Sequence, residues 1–158
     1  MLKIISPDLL NDLTQKAKQS PRRRLNHNFH DELADPINRM LNALEPGTYI
    51  QPHKHENPHK REVFIVLRGS LVVVFFDDSG NPREFVLLDP ENGNYGVEVP
   101  VGVWHSLFAL ESGTVIYEVK DGPYSPIDDK NFASWAPREG EPECEPYLKM
   151  MIDRYNNR

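Results

Sequence analysis

Residues 63–88, VFIVLRGSLVVVFFDDSGNPREFVLL, carry three runs of Val, Ile, Leu and Phe separated by the turn signals RGS and DDSGNP. Each run has the length of a strand, is rich in β-branched and aromatic residues, and is too short for a helix. The rhythm continues through YGVEV (95–99), HSLFAL (105–110) and TVIYEVK (114–120), with DPENGN, PVG and ESG between them. Short strands at intervals of roughly 8–12 residues, with no helical crossover, predict an antiparallel sandwich or barrel. Upstream, residues 35–44 are ambiguous: Asp35 and Pro36 resemble a helix start, yet Met40, Asn42 and Leu44 alternate, which points to a turn and then a strand. In LNHNFH (25–30), Asn26, Asn28 and His30 alternate with His27 and Phe29, predicting a strand with a polar face. Residues 6–18 predict a helix with Ser6 as N-cap, Pro7 in its first position, and Leu9, Leu10, Leu13 and Ala17 on one side. Beyond Gly122, PREGEPECEPY predicts a surface arm, and Leu148, Met151, Ile152 and Tyr155 form the stripe of a small docked helix.

A chain of 158 residues fits one domain, here divided into an N-terminal helix and arm (1–34), a β core (35–122) and a C-terminal arm and helix (123–158). It is 39% hydrophobic and 27% charged, with no apolar window long enough for a membrane helix. Ser6, Pro7 and Asp8 interrupt the N-terminus before a signal-peptide core accumulates, so a cytoplasmic location is expected. Lys+Arg 18 against Asp+Glu 24 gives a net charge of −6, which argues against nucleic acid or anionic lipid as a partner. The single Cys144 excludes an intramolecular disulfide and fits a reducing compartment.

Three stretches carry chemistry: GTYIQPHKH (47–55), EVFIVLRG (62–69) and PVGVWH (100–105). Residues two apart on a strand face the same side, so His53 and His55 present two imidazoles to one point. Glu62, opening the next apolar strand, adds a carboxylate oxygen, and His105, after a Pro-Gly turn, adds a third imidazole. This set suits one divalent ion, such as Zn, Fe, Mn or Ni, and leaves octahedral ions with open positions for substrate or water. His59 is the alternative to Glu62 or a fifth ligand, whereas Glu56 faces away on a continued strand.

Arg22, Arg23 and Arg24 are either a solvated run or a clamp for phosphate or carboxylate. Asn26, Asn28 and His30 behind them suit hydrogen bonding to sugar hydroxyls over a barrel mouth, although the solvation of an edge strand produces the same alternation. Lys120 and Tyr124 flank a Gly-Pro turn, where they either pack or act as catalytic acid and base. Trp104 is expected on the side of its strand opposite His105.

The blocks around His53, His55, Glu62 and His105 resemble the paired motifs of the cupin superfamily. That resemblance implies an all-β, jelly-roll-like double-stranded β-barrel with these four side chains pointing inward around a divalent ion. Two departures stand out: the loop ENPHKR (56–61) is longer than the usual cupin spacing, and Ala109 replaces the usual Asn of the second motif. SPRRRLNHNFH, DPINRMLNALEPGTYIQPHKH, LRGSLVVVFFDDSG, VEVPVGVWHSLFALESGTVIYEVKDGPYSP and FASWAPREG together resemble the WbuC family of cupin-fold metalloproteins. This implies bacterial surface-polysaccharide (O-antigen) biosynthesis and a sugar-like, anionic small-molecule ligand. The expected activity is metal-dependent isomerisation or epimerisation of a sugar or nucleotide-sugar; the alternatives are a non-catalytic sugar-binding or sensor module and an Fe(II) dioxygenase. Exposed β edges point to a homodimer.

Overall fold

The computed structural model describes residues 2–125 and 130–158. Residues 126–129, part of the expected C-terminal arm, lie outside the described residues.

Helix α1 (Pro7–Gln19) begins where its capping chemistry predicts, with the Ser6 hydroxyl accepting the Leu9 N–H at 3.2 Å. Among the described residues ten strands follow: β1 (Arg24–Asn28), β2 (Ile37–Leu44), β3 (His53–Lys54), β4 (Glu62–Arg68), β5 (Leu71–Phe76), β6 (Pro82–Leu88), β7 (Gly96–Val99), β8 (Trp104–Ala109), β9 (Thr114–Asp121) and β10 (Asn131–Phe132), and then helix α2 (Cys144–Asn156). They form two antiparallel five-stranded sheets, ordered β1-β2-β9-β4-β7 and β10-β3-β8-β5-β6. The strand expected over 25–30 ends at Asn28. The Phe29 N–H nevertheless continues its ladder by donating to the Arg39 carbonyl at 2.8 Å, and His30 Nδ1 lies 3.2 Å from the Arg39 nitrogen and 3.1 Å from its carbonyl oxygen.

Alternation along the strands sorts side chains into three apolar layers. Between the sheets, Leu44, Phe64, Val66, Leu71, Val73, Leu107, Ala109 and Ile116 fill one end of the interior. Outside the first sheet, Leu13 and Ala17 of α1 cover Leu41, Ala43 and Val115. Outside the second, Leu148 and Met151 of α2 cover Val72, Val74 and Phe108. β5 is therefore buried on both faces, which is why LVVVFF is a continuous apolar run and not an alternating one. The other end of the interior is polar and open, and the site lies there.

Candidate metal centre

His53 on β3 and His105 on β8 are direct cross-strand partners, with ring centroids 4.4 Å apart. His55 lies just past the two-residue β3, and its carbonyl accepts the Gly102 N–H at 3.1 Å, which ties it to the turn before β8. Glu62 comes from the facing sheet. The four side chains are only 1–4% exposed, and one donor atom from each lies within 4.8 Å of all the others.

The donor set fits a metal ion. Ligand atoms bound at about 2.1 Å to one ion lie roughly 3.0 Å apart at right angles and 4.2 Å apart across it. Glu62 Oε2 is 3.0 Å from His105 Nε2 and 3.4 Å from His55 Nε2, which matches adjacent positions. The Nδ1 atoms of His53 and His105 contact the carbonyls of Gln51 and Val103 at 3.0 and 2.9 Å. A carbonyl only accepts, so each ring carries its proton on Nδ1 and, when neutral, turns a bare Nε2 lone pair inward. For His105 that lone pair faces a carboxylate, an arrangement that a cation between them resolves. Burial, followed by the charge of Lys130, pushes the His53 pKa well below its ordinary value and keeps it in the neutral, ligating form. Burial raises the Glu62 carboxyl, but hydrogen bonds and charge from the His105 and His55 imidazoles, acting when their Nε2 atoms carry a proton, outweigh this and hold it well below the usual carboxylate range.

A cavity of about 440 Å³ opens from His53, Glu62 and His105 along the inner faces of β9, β2 and β1, within the roughly 300–1,000 Å³ of small-molecule sites. Asn26, Asn28 and His30 line it, as do Lys120 and Tyr124, with the Lys120 ammonium 5.8 Å from the Tyr124 ring centroid. Arg22 and Arg24 also line it, yet both engage Glu139 of the C-terminal arm, at 2.6 and 2.7 Å. Arg23 lies outside the lining. Its φ of +53° turns the chain from α1 into β1, and its guanidinium donates to the Pro46 carbonyl at 3.1 Å. His59 is exposed and outside the four-residue cluster, and Glu56 pairs with Lys54 at 2.6 Å. Trp104 points outward, donating to Asp78 at 3.1 Å and packing on Trp135.

Sequence reasoning missed Glu118, Asn38, Asn42 and Lys130 in the lining. Burial, then the Glu62 charge, pushes the Glu118 pKa up to about 8, and Asn42 Nδ2 donates to its Oε2 at 2.6 Å. Glu118 and Lys120 are two apart in EVK, as are Asn38, Met40 and Asn42 in β2, so strand alternation held the signal. Nothing local marks Glu139, which reaches Arg22 across 117 positions.

Solved structures share the fold. CapF from Staphylococcus aureus, a capsular polysaccharide assembling protein, superposes with a TM-score of 0.54 at 24% identity, covering 68% of this chain and 28% of that one. Oxalate decarboxylase from Bacillus subtilis gives 0.51 at 20% identity, over 69% of this chain and 27% of that one. The TT1209 protein of Thermus thermophilus gives 0.53 at 22% identity, over 76% of this chain and 97% of that one. This chain thus spans little more than a quarter of CapF or oxalate decarboxylase, and what is common is the architecture, the cupin barrel. Comparison with curated protein sequences returned no match. A family profile matches residues 5–88, just over half of the sequence, and so this cupin-fold chain belongs to the family described as domain of unknown function DUF6016.

Proposed function

We propose that this protein is a metal-dependent enzyme acting on an anionic sugar or nucleotide-sugar in bacterial surface-polysaccharide biosynthesis, close to the WbuC type that its sequence resembles. The observation that carries the reading is the buried His53, His55, Glu62 and His105 cluster at the floor of a polar cavity whose lining holds more cationic than anionic side chains. Arg22, Arg24, Lys120 and Lys130 stand against Glu62 and Glu118, with Glu139 offsetting one arginine. A bound divalent ion would supply a Lewis acid for a carbonyl or enediolate oxygen of the ligand. Lys120 and Tyr124 both line the cavity, with the ammonium 5.8 Å from the ring centroid, which supports a role for the pair in holding or moving a proton. Asn26 and Asn28 face the cavity from β1, where their carboxamides suit sugar hydroxyls. CapF adds a precedent for the fold in a capsular polysaccharide assembling protein.

The test is elemental analysis of protein purified without added metal, followed by NMR of a panel of uronates and nucleotide-sugars incubated with it. About one ion per chain and conversion of an anionic sugar are expected. Binding without turnover would identify a sugar-binding module, and oxygen consumption with an iron-loaded sample a dioxygenase.

A further inference from the structure

We propose that Asn38 is a ligand-binding residue that reads a vicinal pair of hydroxyl groups, making the ligand a polyhydroxylated acid; this rests on the sugar reading above. Asn38 is 1% exposed, on the cavity face of β2, and among the described residues neither its Oδ1 nor its Nδ2 has a hydrogen-bond partner. Its neighbours differ: Asn42 donates to Glu118, and Asn26 donates to Asn28 Oδ1 at 2.7 Å. A buried carboxamide with both ends unmatched opposes folding, so its place in the wall calls for an external partner.

Register locates that partner relative to the metal centre. Asn38 is opposite Lys120, and Lys120 is opposite Glu62, so the three residues form one row across β2, β9 and β4. At about 4.8 Å per strand, the carboxamide stands roughly 10 Å along the row from the metal-facing carboxylate, with the lysine between them. A ligand held at both ends therefore carries an anionic or carbonyl oxygen near the metal and Lys120, and its distinguishing group near Asn38.

The carboxamide edge offers one acceptor and one donor side by side. A carboxylate or phosphate only accepts and leaves Oδ1 unmatched. A trans secondary amide directs its N–H and C=O to opposite sides and cannot serve both atoms. Two adjacent hydroxyls can, one donating to Oδ1 and the other accepting from Nδ2.

Calorimetry on the metal-loaded full chain, with D-glucuronate and glycolate as probes, tests this. Glycolate has the acid and one hydroxyl but no vicinal diol. Asn38→Ala should weaken glucuronate binding about tenfold or more while glycolate binding stays within twofold of the parent and metal content is unchanged. In ligand-free protein, Asn38→Leu should raise Tm by about 2–6 °C, since it removes two unmatched polar atoms. If the parent binds glucuronate and Asn38→Ala binds both probes as the parent does, or loses both equally, the Asn38 assignment is overturned while the sugar reading stands. A fall in Tm for Asn38→Leu likewise overturns it, because the carboxamide would then serve the fold. A metal-loaded parent that binds neither probe overturns this proposal together with the sugar-acid reading.

Discussion

At the candidate metal centre, the backbone carbonyls of Gln51 and Val103 orient the imidazoles of His53 and His105, so the strands themselves set the geometry of the donor atoms. Because His53 and His55 supply half of the donors, changing both to Ala should reduce metal from about one ion per chain to near zero by elemental analysis. Full occupancy in the double variant would displace the site. Glu62 and His59 separate as sharply: Glu62 is 2% exposed within the cluster, whereas His59 is exposed outside it. Glu62→Gln should therefore weaken metal affinity by about 10-fold or more in a competition titration, with His59→Ala nearly silent. The reverse ranking would assign the ligand to His59.

Among the elements, α1 shows how sequence-local and long-range terms combine. Its first turn is closed by Ser6, and its middle is tied to the end of β4 by Arg68, which donates to the Leu10 carbonyl at 3.0 Å and to Asn11 Oδ1 at 2.7 Å. Ser6→Ala should cost about 0.5–2 kcal/mol, seen as a modest fall in Tm with metal content intact. The turn from β4 to β5 is less tolerant. Gly69 has φ +72°, and a Cβ there would lie 2.9 Å from the Thr114 Cα, a backbone contact that cannot rotate away. Gly69→Ala should cost at least about 1–2 kcal/mol from the left-handed conformation alone, lowering Tm by roughly 2–8 °C in a chain of this size. An unchanged Tm would mean that the turn relaxes without strain.

Across the whole molecule, the cavity depends on contacts far apart in sequence, and Glu139 is one contact that joins the C-terminal arm to its mouth, beside Tyr124 and Lys130. Burial raises the Glu139 carboxyl, but the guanidiniums of Arg22 and Arg24 prevail and hold its pKa below the ordinary range. A depressed folded-state value means that the stabilisation is present above the unfolded value of about 4.3 and is lost as pH falls through the lower folded value. Glu139→Gln should thus lower Tm slightly at pH 7, by an ion-pair contribution of about 1 kcal/mol or less, and the difference from the parent should shrink as pH falls below about 4.3 and vanish once pH lies below the depressed folded-state value. A difference that persists there would exclude the ion pair as its cause. At the largest scale, β1, β7, β10 and β6 are sheet edges. The homodimer expected from such edges should scatter light as twice 18.2 kDa, and a mass of one chain would reject it.

Local chemistry in the sequence was enough for the elements: Ser6-Pro7 for the start of α1, the six apolar runs with their turns for β4 to β9, and the period of two for His53 and His55. It was enough to group His53, His55, Glu62 and His105 as well, because they sit in turn-bounded stretches, although His55 lies just past β3 and is held by its carbonyl contact with the Gly102 N–H. Only the tertiary structure decided which residues share the cavity. Arg22 and Arg24 separate from Arg23 because a left-handed residue turns the chain between α1 and β1. Glu139 meets the arginines, and Asn38 falls in line with Lys120 and Glu62, through pairings between distant segments. Periodicity reports which face of a strand a residue occupies, but the partner across that face is chosen by strand order and register, which emerge only when the two sheets close on their shared core.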